Sequence, residues 1–158
     1  MSFSEKMRES LGAGGVGLKV APTAEEASVT AGTALRANVT LDGGNRSAHV
    51  DALVLRLIEA DRHWTDADGN RIEEADAAAL EDRRHLTAGW DRRTVAELRV
   101  GVDAEIDVSG SKDVDVSIDV PGECKPTSVS CAHTLNVQAD IKGQIDPTAN
   151  ARVVVQSG

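Results

Sequence analysis

The chain has 158 residues, a net charge of −9 and a pI near 4.8; 41% of its residues are apolar, only 2% are aromatic, and tyrosine is absent. A chain this long can bury a core without disulfides or metal, and Val, Leu, Ile and Ala must fill it. The acidity excludes phosphate backbones and anionic membranes as default partners, and the shortage of aromatics removes the stacking platforms that single-stranded nucleic acid needs.

The acidic side is rich in Asp, and Arg outnumbers Lys. Two readings stand side by side: a surface kept solvated at high salt, as in a halophile, or the codon bias of a GC-rich genome. Met1 to Leu11 holds no long apolar run, and no stretch approaches the ~20 apolar residues of a membrane span, so a cytoplasmic protein is expected. In that compartment Cys124 and Cys131 are reduced thiols. The sequons Asn38-Val39-Thr40 and Asn45-Arg46-Ser47 are then chance matches.

Ser2 to Leu11 reads as a short amphipathic helix, with Phe3, Met7 and Leu11 at four-residue spacing and Gly12 ending it. After the glycines the period changes to two. Val16, Leu18 and Val20 alternate up to Pro22, then Leu35, Ala37, Val39 and Leu41 up to the turn cluster Asp42-Gly43-Gly44-Asn45. His49 to Ile58 is a strand with Leu53, Leu55 and Leu57 on one face. Val54 breaks the alternation there, as in a strand buried on both sides. Asp68-Gly69 signals a hairpin, and Glu73 to His85 is read as a strand or long polar excursion. Alternation returns from Thr94 to Val108, then over Val114, Val116, Ile118 and Val120, and again over Leu135, Val137, Ala139 and Ile141. Val153 to Val155 closes the chain. Roughly eight strands separated by turn signals predict an all-β antiparallel sandwich, immunoglobulin-like in architecture.

Several segments, in order, resemble the sporulation-control protein family (sporulation stage-zero protein M), whose members are arrestin-like. They are the Met1-Ser2-Phe3 helix leading into Gly12 to Gly17, the stretch Ala31 to Val39 followed by Gly43-Gly44, and Val50 to Leu57. Further on come Ser109-Gly110 with Val114 to Pro121, and Asp140-Ile141-Lys142 with Asp146-Pro147. Ala31 stands where the family has proline. The family normally has two arrestin-like halves, and this chain corresponds to the N-terminal one. The resemblance implies a short helix over residues 1–11, a single arrestin-like β-sandwich over 16–158, and a regulatory or scaffold role with no catalytic site to carry over.

The chemical motifs are thin. Gly12-Ala13-Gly14-Gly15-Val16-Gly17 fits G-x-G-x-x-G, but a dinucleotide site needs strand, glycines, helix, and here the order is helix, glycines, strand. Asp66 and Asp68 sit in a loop like part of a calcium site. Aligning Gly69 with the sixth position puts Trp64 first and Ala75 twelfth, so the bidentate acid is missing. Cys124, Cys131 and His133 lie close in sequence, yet zinc wants tighter cysteine spacing and a fourth ligand, which His49, His63 or His85 would have to supply. A disulfide between Cys124 and Cys131 is the other reading, and two unlinked thiols the third. These five residues are the weak metal candidates, and no metal or other cofactor is expected. Asp103, Asp107, Asp115 and Asp119 alternate with apolar residues and belong to a wet sheet face. No nucleophile–base pair stands out, so the protein is not expected to be an enzyme. The expectation is a non-catalytic interaction module or adaptor with an unidentified protein partner that self-associates as a homodimer or higher oligomer. A self-assembling structural subunit is the alternative, and a metal-binding domain follows after that.

Overall fold

The computed structural model describes residues 15–22 and 28–158. The expected helix over Ser2 to Leu11 lies outside the described residues. Among the described residues, nine strands and one short helix follow in order: β1 (Gly17–Pro22), β2 (Ser28–Thr30), β3 (Ala34–Asp42), β4 (Ala48–Thr65), β5 (Arg71–Glu73), α1 (Glu74–Ala78), β6 (Thr87–Ile106), β7 (Ser111–Asp119), β8 (Cys131–Ile141) and β9 (Thr148–Gln156).

They form two sheets. The smaller has the order β1-β3-β7, all antiparallel. The larger runs β2-β9-β8-β4, with β6 along the far side of β4 and β5 on the end of β4 that β8 leaves free. Every ladder is antiparallel except β2 with β9, which is parallel. Period-two alternation explains why these segments are strands: in β8 every second residue from Cys131 to Ile141 is buried. The inward residues of both sheets form one core, including Leu35, Val39 and Leu41 from β3 and Leu53, Leu55 and Leu57 from β4. No aromatic side chain is among the buried hydrophobic residues described.

The break in alternation near Val54 has a different origin from the one expected. Val54 is only half-buried, on the outer face. The phase shift comes one turn of the pleat earlier, where Val50 and Ala52 are consecutive pairing positions and Asp51 is bulged out. The hairpin expected at Asp68-Gly69 is present as the β4–β5 turn, with Gly69 at φ +85°. The segment 73–85, expected as a strand or long polar excursion, starts on the last residue of β5, holds helix α1 and then runs on as an exposed loop. Glu74 and Asp76 sit in the first turn of α1, where negative charge favours a helix start, and the Glu74 carboxylate is held by the Arg62 guanidinium and the Trp64 indole N–H. Two strands are also much longer than expected: β4 continues seven residues past Ile58 to Thr65, and β6 begins at Thr87. No helix among the described residues is long and apolar enough to cross a membrane.

Candidate functional site

Two buried polar side chains, Glu59 and His133, interrupt the core. Both occupy inward positions. Glu59 continues the phase of Leu53, Leu55 and Leu57 on β4, and His133 that of Leu135 and Val137 on β8. The sheet register makes them direct partners, and it places Asp61 opposite Cys131 and Arg93 of β6 opposite Glu59. The loop between β7 and β8 brings in Cys124 and Thr127. It is tied down by the Thr127 N–H donating to the Val155 carbonyl and the Cys124 N–H donating to the Pro121 carbonyl.

The functional atoms converge on the Nε2 of His133. Glu59 Oε2 is 3.2 Å from it, Cys124 Sγ 3.5 Å and Cys131 Sγ 4.0 Å. Cys124 Sγ is 3.6 Å from Glu59 Oε2. The other oxygen of Glu59, Oε1, accepts from Arg93 at 2.8 and 3.2 Å. On the far side of the imidazole, Nδ1 is 2.7 Å from the Thr127 hydroxyl oxygen, which also accepts the Val155 N–H at 2.8 Å.

Burial pushes the Glu59 carboxyl up. The Arg93 guanidinium and the hydrogen bonds with His133 and Cys124 outweigh that and hold it below the usual range. Burial and the nearby carboxylates act in one direction on the thiols. Cys124 is pushed up to about 11, mainly by burial and then by Glu59. Cys131 is pushed up to about 12, by burial and then by Asp61. A Cys–His–acid set can suggest a hydrolase, but this geometry is wrong for one. In a working triad the nucleophile and the orienting acid flank opposite nitrogens of the imidazole. Here thiol and carboxylate share Nε2, and the thiol is not activated.

Of the residues singled out in the sequence, Cys124, Cys131 and His133 come together, with both cysteines buried and free rather than disulfide-linked. None of the three other histidines joins them. His49 faces Asp51, Asp103 and Glu105, His63 faces Asp91, and His85 is exposed in the loop after α1. The fourth member is Glu59, 74 positions before His133. Its signal was readable as an acid in phase with three buried leucines. Asp66 and Asp68 lie apart in the β4–β5 turn, where Asp66 Oδ1 accepts the N–H groups of Asp68 and Asn70. Asp103, Asp107, Asp115 and Asp119 are exposed.

A second feature is the edge of the larger sheet. Among the described residues β6, 20 residues long, pairs with β4 alone. Two irregularities interrupt it: Val95 is extra between the pairs Leu57↔Ala96 and Ile58↔Thr94, and Val102-Asp103 oppose the single Asp51, with Asp103 at φ +45°. Between them Ala96 to Gly101 is regular. Leu98 shares the face of its partner Leu55 but is 40% exposed.

Two β-sheets packed through one aliphatic core, nearly all strands antiparallel, define an arrestin-like β-sandwich. The crystal structure of Spo0M, sporulation control protein, from Bacillus subtilis has the same fold, with a TM-score of 0.66 and 17% identity over 89% of this chain and 50% of that one. The family described as SpoOM protein (Spo0M) matches residues 5–157, and the chain belongs to that family. It spans about half the length of the solved Spo0M chain. Among curated proteins no match is found.

Proposed function

We propose that the chain is a non-catalytic interaction module of the sporulation-control type, acting in the cytoplasm and binding an extended segment of a protein partner along the edge of β6. The observation that carries the reading is the open edge itself. β6 offers a row of backbone donors and acceptors with no partner strand among the described residues, and the regular window Ala96 to Gly101 has Leu98 exposed beside it. The flanking bulges and the charges of Arg92, Arg93, Glu97 and Arg99 oppose indiscriminate edge-to-edge pairing, which fits a selective partner better than an open-ended polymer. Family membership supports a regulatory role, and the unactivated Cys124 supports a protein without catalysis.

The test uses two single variants, Leu98→Pro and Arg99→Pro. In an antiparallel pair, consecutive N–H groups alternate between partner strand and open edge, so one of the two substitutions leaves the β4 ladder whole. A partner pulled down from native lysate by the unmodified chain, and lost from whichever variant keeps its circular dichroism spectrum, supports the reading. Retention of every partner by that folded variant overturns it.

A further inference from the structure

We propose that Glu59, Cys124 and His133 bind one divalent first-row transition ion, zinc by their chemistry, as a staple between the β7–β8 loop and strands β4 and β8. The argument starts from the spacing of the donor atoms. Tetrahedral zinc with bonds of about 2.3 Å to sulfur and about 2.0–2.1 Å to nitrogen and oxygen sets ligand-to-ligand edges of about 3.6 Å for N to S, 3.5 Å for O to S and 3.3 Å for N to O. The matching edges here are 3.5 Å from His133 Nε2 to Cys124 Sγ, 3.6 Å from Cys124 Sγ to Glu59 Oε2, and 3.2 Å from Nε2 to Oε2. Cys131 Sγ, 4.0 Å from Nε2, stands outside this set of three and groups instead with Glu59 and Asp61.

Hydrogen bonds also join these groups: the Cys124 thiol donates to Glu59 Oε2, and Cys131 pairs with Asp61. Arg93 bonds to Oε1 of the Glu59 carboxylate, so Oε2 faces the imidazole and the Cys124 thiol. A dication placed among Glu59 Oε2, Cys124 Sγ and His133 Nε2 replaces the thiol proton and contacts all three.

The surroundings match what a metal site needs outside its ligands. His133 Nδ1 lies 2.7 Å from the Thr127 hydroxyl oxygen; with Nδ1 as the donor there, the Nε2 lone pair is free for an ion. Arg93 anchors the Glu59 carboxylate through the oxygen that does not ligate. Binding releases the Cys124 thiol proton to solvent, and one thiolate and one carboxylate then balance the dication. A thiolate and an imidazole select zinc over the hard cations magnesium and calcium, and three protein ligands leave the fourth position to water. A surface groove of about 250 Å³ ends on Cys124 beside Arg93 and Pro121 and provides access.

The experiment is metal analysis of the full chain purified without chelator, followed by stripping and reloading with zinc or cobalt(II). The expected results are one zinc per chain after gel filtration and a thermal midpoint that falls on stripping and recovers with zinc. The cobalt(II) form should show tetrahedral visible bands and a thiolate charge-transfer band. Cys124→Ser should abolish that band and lower zinc affinity by at least tenfold, and Asp66→Asn should leave both unchanged. The thermal and optical readouts on the unmodified chain keep the test decisive even if a ligand variant fails to fold. Metal well below one per chain after reloading, with no shift in midpoint, overturns the proposal, as does a cobalt spectrum without a thiolate band.

Discussion

Gly43 is fixed by close approach and not by its backbone angle, and replacing it with alanine tests how the two sheets are joined. A Cβ added there would lie 2.1 Å from the Asp107 carbonyl oxygen, 3.2 Å from its carbonyl carbon and 3.1 Å from the Gly110 nitrogen. These are backbone atoms of the β6–β7 turn and cannot rotate away. An optimal nonbonded separation is about 3.5 Å, so the two turns must part by roughly 1 Å. Three hydrogen bonds span that region: Gly43 N–H to the Gly110 carbonyl at 2.7 Å, Ser109 N–H to the Gly44 carbonyl at 3.0 Å, and Gly110 N–H to the Asp107 carbonyl at 2.8 Å. Losing two of them at about 0.5–1.5 kcal/mol each, with about 1–3 kcal/mol of overpacking strain added, makes Gly43→Ala cost about 2–6 kcal/mol. For a chain of this length that lowers the thermal midpoint by about 4–24 °C. The assay is urea and thermal unfolding followed by circular dichroism. Gly122→Ala is the control, since a Cβ there meets nothing within 4 Å. If Gly43→Ala lies within about 0.5 kcal/mol of that control, the close approach of the two turns is refuted.

Two further outcomes are expected. Leu55→Ala, at a fully buried inward position, should cost about 2–5 kcal/mol in urea unfolding, whereas its half-buried neighbour Val54→Ala should cost about 1 kcal/mol. Equal costs would contradict the strand phase set by the bulge at Asp51. The hydrogen bond from Arg62 holds the Glu74 carboxyl below its usual range, against burial and with help from the Trp64 indole. Because the folded value is the lower one, this stabilisation is complete above the unfolded value of about 4.3 and is lost as pH falls through the folded one. The stability gap between the unmodified chain and Glu74→Gln should therefore narrow from about pH 5 downward, as read from urea midpoints across a pH series. A gap that widens toward acid would refute the pairing.

The sequence by itself determined the sandwich. Period-two runs of Val, Leu, Ile and Ala, punctuated by Gly-Gly, Asp-Gly and Pro, admit little else, because alternation puts every second side chain in the core regardless of which strand lies beside it. It also determined that Asp115 and Asp119 are wet and that Cys124 and His133 deserve notice. Three-residue strands such as β2 and β5 are too short to show a period, and the charged stretch from Glu59 to Thr65 hid the outer half of β4 behind residues that are usually exposed. Helix α1 was missed because five residues carry no full helical repeat, and what holds it is the tertiary contact of Glu74 with Arg62 and Trp64. Only the tertiary structure decided the cluster. Glu59 and His133 are neighbours because register pairs β4 with β8, and Arg93 joins them because β6 pairs with the other side of β4. Register is a property of two strands together, set by bulges, turn lengths and packing on the opposite sheet, so a single strand's pattern can say which face a residue takes but not which residue it will meet there.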